Sequence, residues 1–306
     1  MSRFARCYSS KTAAVGITLA AALCTTQSRR LSGTNANGKR ELLLTDPNLA
    51  SLNRLQTLIR LDLSNIGLSL KGGHAEIALK MTTTAHRFEL IETIRADSQG
   101  KIPLLVGHLQ RLQTSALSLG FSWPGRVAVE QAIQTALLKT TTLTESTRVR
   151  LLMTPDGELQ ITTAPLPALQ ARPLVALAPL TLDSHELLLQ HKTTHRPWYD
   201  PTTQWLTAHH DFFDLIFVNE RAELCEGSRS NIYLKQDNDW VTPPLACGLL
   251  GGVMREHLLS THQVREAVLT RADFEQPAAR LRLSNGLRGW FDVHRAESLF
   301  PGRDFP

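Results

Sequence analysis

The chain has 306 residues, of which 42% are hydrophobic and 20% are charged, as is typical of a soluble globular protein with one large or two modest cores. Residues 1–80 contain 11 Lys and Arg residues and 4 Asp and Glu residues, so this segment carries +7 and the rest of the chain −2. The basic excess is therefore confined to the N-terminal segment. The rest has no basic stripe with interleaved aromatic residues, which argues against a nucleic-acid-binding surface.

The N-terminal segment, residues 1–80, has three possible interpretations. Basic residues precede a mostly apolar run over residues 12–23, which is too short for a helix that crosses a bilayer. This pattern is typical of a secretory signal or a transit peptide. The alternatives are an unstructured extension and a start codon further along the chain, since strand-like patterning begins at Met81. Residues 41–80 alternate too weakly to predict an element.

No C-x-x-C pair and no Cys/His cluster with zinc spacing occurs among the four cysteines, Cys7, Cys24, Cys225 and Cys247. The sequence therefore predicts no metal site. We expect reduced thiols and a cytoplasmic protein that does not span a membrane. A Cys225–Cys247 disulfide is the alternative.

The first clear elements begin at Arg87. The segments "RFELIETIRAD" and "KIPLL" are joined by Ser98-Gln99-Gly100, and together they predict a β-hairpin. In "LLVGHLQRLQTSALSLGF" (104–121), apolar residues recur every three or four positions. This spacing predicts an amphipathic helix of about five turns.

The remaining elements divide at a proline-rich segment. A helix is predicted over residues 127–138, and a hairpin over "RVRLLMTPDGELQITTAP". Three prolines in "TAPLPALQARP" are typical of a linker between domains. Beyond it, a helix is expected after Gly252, and short strands are predicted in "DLIFVNE", "AELCEG", "NIYLKQD" and "DWVTPPL". The sequence therefore predicts an α+β fold with two domains, residues 81–168 and 169–306, behind the N-terminal segment.

Lys192, in "HKTTHRPWYD", is the only lysine between positions 140 and 234. One interpretation is a solvated surface residue, which is the usual state of lysine. The other is an amine used for chemistry, because lysine can form a Schiff base with an aldehyde. Lys139 is a rival, but it ends a predicted helix, where a cation complements the helix dipole.

Two glycine-containing turns and an arginine are candidates for an anion site. Gly251-Gly252 stand directly before a predicted helix, whose first N–H groups can bind phosphate. The turn in "RLSNGLRGW" supplies Asn285, Gly286 and Arg288. Arg111, on the predicted helix over residues 104–121, could join them, and an exposed helix position is its alternative interpretation.

Glu226 precedes Gly-Ser in "ELCEGSRSNIYL", at the entrance to a predicted strand. A carboxylate beside a pyridine nitrogen favours the protonated form of that nitrogen. A protonated pyridine is the electron sink of pyridoxal phosphate (PLP) chemistry. Turn capping or a surface ion pair is the simpler interpretation of this glutamate.

These segments together resemble the class IV aminotransferases, the PLP enzymes of fold type IV. Most of the resemblance lies in "NERAELCEGSRSNIYL…WVTPPLACGLLGGVMREHLL". The segments "RFELIETIRAD…HLQRLQTSALSLGF", "HKTTHRPWYD" and "LSNGLRGW" resemble the family in the same order. The resemblance extends from about Arg87 to the C-terminus, and within the family the chain looks most similar to 4-amino-4-deoxychorismate lyases.

The resemblance implies a role for each candidate residue. Lys192 would bind PLP covalently and move the proton, and Glu226 would pair with the pyridine nitrogen. Thr93 would help proton delivery at the substrate. The cofactor phosphate would be held by Arg111, Gly252, Val253, Asn285 and Gly286. Supporting roles would fall to Tyr199 and Arg288.

The function that the resemblance implies is a lyase that converts 4-amino-4-deoxychorismate to 4-aminobenzoate and pyruvate for folate biosynthesis, as a homodimer. One alternative is a transaminase for D-amino acids or branched-chain amino acids. Another is a non-catalytic relative or a partner of the aminodeoxychorismate synthase complex.

Three departures from the family pattern accompany the resemblance. Gly251 stands where proline is frequent, and Gly286 stands where serine or threonine is frequent. The loss of that hydroxyl raises the question of whether Gly286 weakens phosphate binding. The family's N-terminal strand region has no clear match in residues 41–86.

Overall fold

The computed structural model describes residues 67–71, 74–78, 88–140, 146–298 and 305–306. These residues belong to two units, residues 1–82 and 83–306. In the first unit, strands β1 (Gly67–Lys71) and β2 (His74–Ala78) pair antiparallel. The predicted targeting signal, Cys7, Cys24 and Met81 lie outside the described residues.

The second unit begins with an antiparallel sheet in the order β3 (Leu90–Asp97), β4 (Ser146–Met153), β5 (Leu159–Pro165). Two helices connect β3 to β4, namely α1 (Leu105–Leu119) and α2 (Arg126–Leu138). Apolar side chains of these helices and of β3 and β4 share one buried core. Each fully buried Leu or Ile in it stabilises the fold by about 1.5–3 kcal/mol.

Helix α1 confirms the helix predicted from apolar spacing, although it is 15 residues long and so has about four turns. Leu109, Leu112 and Ala116 are buried along one stripe. The helix ends at Gly120, whose φ of 74° favours glycine. Helix α2 and the β4–β5 hairpin also confirm their predictions.

The hairpin predicted from "RFELIETIRAD" and "KIPLL" is wrong, because the second segment forms no strand. The Asp97 carboxylate accepts hydrogen bonds from the backbone N–H groups of Gln99 (2.9 Å) and Lys101 (2.8 Å), which closes a tight turn. Pro103 has no N–H group with which to continue a ladder. The chain therefore enters α1, and β3 pairs with β4 instead.

The larger sheet contains eight strands, in the spatial order β11-β10-β9-β12-β13-β6-β7-β8. The strands are β6 (Leu174–Leu182), β7 (Phe212–Asn219), β8 (Leu224–Gly227), β9 (Asn231–Gln236), β10 (Asp239–Thr242), β11 (Arg265–Glu266), β12 (Leu281–Asn285) and β13 (Gly289–Arg295). Strand β8 also pairs with β9, through Glu226 and Asn231. This pairing closes six strands into a barrel-like ring and places Glu226 where the ring closes.

Three helices accompany the larger sheet, namely α3 (Asp200–Leu206), α4 (Val253–Ser260) and α5 (Arg271–Glu275). Strands β7 to β10 and helix α4 confirm the elements predicted after the linker. The α+β class is confirmed, while the domain boundary at residue 169 stays a prediction. Among the described residues, no helix has the length and apolar character needed to cross a membrane.

Candidate active site

A cavity of about 290 Å³ is lined by residues of both the three-stranded sheet and the barrel-like sheet. Nine of the ten candidate residues line it, namely Thr93, Arg111, Lys192, Tyr199, Glu226, Gly252, Val253, Asn285 and Gly286. Arg288 does not, since its guanidinium donates to the carbonyl of Pro167. The structure therefore brings together residues up to 193 positions apart in the chain.

Lys192 is held in place through its backbone by the free edge of β3. The N–H group of Ile91 donates to the Lys192 carbonyl at 2.8 Å, and that of Thr194 donates to the Glu89 carbonyl at 2.9 Å. These bonds fix the Lys192 backbone, while its side chain lines the cavity. In the described part of the chain, no hydrogen bond or ion pair engages the Lys192 amine.

The surroundings of the Lys192 amine favour its neutral form. Burial, followed by the charges of Arg196 and Arg111, lowers its pKa from 10.5 to about 7, against the opposite influence of Glu92 and Glu226. Near neutral pH a large fraction of this amine is therefore unprotonated. A neutral amine can attack a carbonyl and can accept a proton.

Glu226 lies deep in the cavity and is 5% exposed. Its Oε1 accepts hydrogen bonds from the Tyr199 hydroxyl (2.7 Å) and from the Leu250 N–H group (3.0 Å). Its Oε2 accepts a longer bond from Asn231 Nδ2 (3.3 Å). Burial raises the pKa of Glu226 to about 7 and outweighs the Tyr199 and Leu250 bonds and the nearby cations, which act in the opposite direction. A cation placed beside this carboxylate would favour its ionised form.

We expect Glu226→Gln to gain stability relative to wild type as pH rises, with both proteins free of cofactor. The wild-type pKa is about 7 in the folded state against an ordinary 4.5. The glutamate's contribution to stability is therefore complete below about pH 4.5 and is lost as pH rises through 7. The difference in unfolding free energy should move towards the variant by about 3 kcal/mol between pH 4 and pH 8.

Urea unfolding at both pH values measures this difference. Glu158→Gln, at an exposed position between β4 and β5, is the matched control and should show no such change. A Glu226→Gln profile parallel to that of wild type would contradict the expectation.

The turn after Glu226 is organised by Asp214, which is fully buried in β7. Its carboxylate accepts bonds from the N–H groups of Ser228 (2.9 Å) and Arg229 (3.0 Å) and from the Ser230 hydroxyl (2.6 Å). A Cβ at Gly227 would lie 2.3 Å from Asp214 Oδ2, so only glycine fits there. This explains the glycine that follows Glu226. Sequence reasoning missed Asp214, whose signal was an acidic residue inside the apolar segment "FFDLIFV".

One end of the cavity is formed by the start of α4. Gly252 is the N-cap, and the first N–H groups of the helix lack partners within the helix. Arg111, from α1, lines the same cavity, and its Nη1 donates to the Gly251 carbonyl at 3.3 Å. Together they form a positive site of the kind that binds phosphate.

Gly252→Ala is expected to destabilise the protein by about 1–3 kcal/mol and to weaken PLP binding. A Cβ at Gly252 would lie 1.9 Å from Asn231 Oδ1. Asn231 would have to move, and its Nδ2 bonds to Glu226 and to the Leu250 carbonyl (2.9 Å) would be lost. Urea unfolding and absorbance titration with PLP measure the two effects.

Gly251→Ala provides a matched control, because a Cβ there comes no closer than 3.5 Å to any other group. We expect this neighbouring variant to resemble wild type in both measurements. Equal behaviour of the two alanine variants would show that the close approach at Gly252 is unimportant.

The glycine at position 286 also has a steric explanation. A Cβ there would lie 2.7 Å from His108 Cε1 and 2.9 Å from its Nε2. His108 is 1% exposed and its Nδ1 bonds to Glu92 at 2.7 Å, so the ring cannot move easily. A serine or threonine at position 286 would therefore displace His108, and the departure from the family pattern fits the local packing.

Two arginines of β4, Arg148 and Arg150, line the cavity and were not singled out from the sequence. They lie two positions apart, and Arg150 stands opposite Thr93 in the β3–β4 ladder. Neither has an ion-pair or hydrogen-bond partner among the described residues. Alternation of charged and apolar residues in "RVRLL" was the available signal. This pattern predicts that both arginines lie on the exposed face of the strand, but not that this face lines a cavity.

The two described cysteines are free thiols. Cys225 Sγ donates to the carbonyl of Cys247 at 3.1 Å, and both side chains are buried. Burial raises the pKa of Cys225 above its usual range, which favours the protonated thiol. Across the described ranges, no group of three or more His, Cys, Asp or Glu side chains is placed to hold a metal ion.

Comparisons with known proteins agree with this geometry. The family model for "Amino-transferase class IV" matches residues 89–296. A Schizosaccharomyces pombe protein named "Putative aminodeoxychorismate lyase" is 28% identical over 180 residues, which are 58% of this chain and 75% of that protein.

Solved structures are similar as well. A "Putative amino-acid aminotransferase" from Mesorhizobium loti is 32% identical, with a TM-score of 0.62 over 68% of this chain and 100% of that chain. A hypothetical Mycobacterium tuberculosis aminotransferase, solved with alpha-ketoglutarate and PMP, is 20% identical, with a TM-score of 0.58 over 76% and 90% of the two chains. The chain therefore belongs to the class IV aminotransferase family, has the PLP fold type IV, and is a PLP-dependent lyase or aminotransferase.

Proposed function

We propose that this protein is a lyase that converts 4-amino-4-deoxychorismate into 4-aminobenzoate and pyruvate. The observation that carries the proposal is the cavity itself. It combines the Lys192 amine and the Glu226 carboxylate with two arginines of β4 that have no partner in the described structure. The similarity to the S. pombe protein supports the same reaction.

The residues present fit PLP. Glu226 supplies a buried carboxylate for the pyridine nitrogen, and Lys192 supplies an amine of lowered pKa for the aldehyde. Arg111 and the first N–H groups of α4, at Gly252 and Val253, suit the phosphate. The turn at Asn285 and Gly286 completes this end of the cavity, although without a hydroxyl.

PLP, when bound, supplies an aldehyde that captures the substrate amine and a ring that takes up electrons. Tyr199 and Leu250 hold the Glu226 carboxylate in place by donating to its Oε1. Lys192 would then take the proton from the carbon that bears the substrate amino group. The C–O bond to the enolpyruvyl group breaks, and return of a proton to its methylene carbon gives pyruvate.

The substrate has two carboxylates, and the cavity wall suits them. Arg148 and Arg150 are exposed on the same face of β4, and the described structure contains no carboxylate that pairs with them. Arginine binds a carboxylate through paired N–H groups. Thr93 stands opposite Arg150 in the sheet and also lines the cavity, and its hydroxyl would help proton delivery as pyruvate leaves.

Product analysis tests the proposal. The purified protein with PLP and 4-amino-4-deoxychorismate should release 4-aminobenzoate and pyruvate in equal amounts, without an added amino donor. A protein that binds PLP but releases neither product would contradict lyase activity.

A transaminase is the second candidate, and the similarity to the M. loti aminotransferase favours it. Such an enzyme would convert PLP to its amine form when given a D-amino acid or a branched-chain amino acid alone. A 2-oxo acid would then restore the starting absorbance. This two-step exchange distinguishes the transaminase from the lyase, which needs no acceptor. The homodimer and the cytoplasmic location stay predictions.

A further inference from the structure

Glu92, in β3, is a buried carboxylate that joins β3 to helix α1. It is 2% exposed, and it accepts hydrogen bonds from Arg111 Nε (2.9 Å), Arg111 Nη2 (2.6 Å) and His108 Nδ1 (2.7 Å). Burial alone would raise its pKa, but Arg111 and His108 together lower the pKa of Glu92 to about 2. The group is therefore an anion that can only accept hydrogen bonds.

The bonds to Glu92 determine which N–H groups of Arg111 remain available. A guanidinium has five N–H groups in one plane. Glu92 takes the Nε–H and one N–H of Nη2, and the Gly251 carbonyl takes one N–H of Nη1. Among the described residues, one N–H group on each terminal nitrogen has no partner, and Arg111 lines the cavity. These two N–H groups remain to bind a phosphate.

We propose that Glu92 is a positioning residue for the cofactor phosphate, because it fixes the Arg111 guanidinium with two N–H groups directed to the phosphate end of the cavity. The inference rests on the role given to Arg111 under the proposed function. His108 supports Glu92 from the same helix, one turn before Arg111, and is itself confined by Gly286.

If charge alone mattered, removing Glu92 would change phosphate binding in the opposite direction from a loss of positioning. An anion next to Arg111 reduces the positive potential at the phosphate, so its removal would tighten phosphate binding if charge decided the outcome. Loss of orientation would weaken binding, since a freely rotating arginine must be ordered when the phosphate binds. The direction of the change therefore separates positioning from simple charge.

The test compares PLP with pyridoxal, which lacks the phosphate, in absorbance titrations of the cofactor-free protein. We expect Glu92→Gln to raise the dissociation constant for PLP by about 10-fold and to leave that for pyridoxal within about 2-fold. Glu92→Asp keeps the charge but shortens the side chain, so it should also weaken PLP binding. Glu130→Gln, which removes a half-buried carboxylate paired with Arg126 on α2, is the control and should change neither constant.

Tighter PLP binding by Glu92→Gln, or wild-type binding by both Glu92 variants, would overturn the inference. Arg111→Ala separates this failure from a failure of the proposed site. If Arg111→Ala weakens PLP but not pyridoxal while the Glu92 variants change nothing, only the positioning role is lost. If Arg111→Ala does not discriminate between PLP and pyridoxal, the assignment of Arg111 to the phosphate fails as well.

Thermal denaturation of each cofactor-free variant identifies any variant that does not fold. If Glu92→Gln is unfolded, the comparison of PLP with pyridoxal is made on Glu92→Asp.

Discussion

Replacing Lys192 with alanine is expected to lower turnover by roughly 10³-fold or more and to abolish the yellow absorbance of the PLP-loaded protein. The alanine variant has neither the amine that binds the aldehyde nor the group that accepts the substrate proton. Steady-state release of pyruvate and the absorbance spectrum measure the two losses separately. Added methylamine should restore part of the activity, because the cavity left by the side chain can admit a small amine.

Unfolding would not explain this loss. The Lys192 amine has a pKa of about 7 in the folded protein against an ordinary 10.5, so the folded state binds this proton less tightly than the unfolded chain does. This difference lowers the stability of the wild-type protein at pH values below about 10. Removing the amine should therefore raise stability at neutral pH. Lys139→Ala changes an exposed lysine at the end of α2 and should leave turnover unaltered. A Lys192→Ala variant that turns over at the wild-type rate would refute the assignment.

Much of the fold follows from regularities that are local in the sequence. The spacing of Leu109, Leu112 and Ala116 predicts α1 because a helix that packs on a sheet must place apolar side chains on one face. The strands after the linker are short apolar segments between polar turns, and the structure has them. The "KIPLL" segment has the composition of a strand, but Pro103 and the turn at Asp97 exclude it from the sheet. Composition alone could not show which strand would pair with β3.

The candidate site depends on contacts between distant parts of the chain, and its residues are of two kinds. Residues that carry a motif, such as Lys192 and Glu226, could be singled out by type and by resemblance. Residues that hold others in place could not, because a buried Glu92 or Asp214 looks like any acidic residue in a strand. Their importance comes from partners that lie 14 to 19 positions away, which only the fold brings close.

Glu226→Gln is expected to lower the rate of substrate conversion by about 10²-fold while PLP still binds. Glutamine keeps the size of the side chain, and its oxygen can accept the bonds from Tyr199 and Leu250. It has no negative charge, so a pyridine nitrogen beside it would lose the partner that favours its protonated form. Single-turnover absorbance measurements give this rate whether the reaction is a lyase or a transaminase reaction.

Tyr199→Phe should lower the rate of substrate conversion for the same reason, but by less. It removes one of the hydrogen bonds to Glu226 Oε1 but keeps the carboxylate and the ring that packs on Phe217. We therefore expect a loss of about 10-fold, the lower end of what one hydrogen bond to a charged group contributes. The rate of substrate conversion should therefore fall in the order wild type, Tyr199→Phe, Glu226→Gln. This order is expected if the reaction depends on the negative charge of the Glu226 carboxylate. If Tyr199→Phe lost more activity than Glu226→Gln, the hydroxyl and not the carboxylate would be the group that the reaction requires.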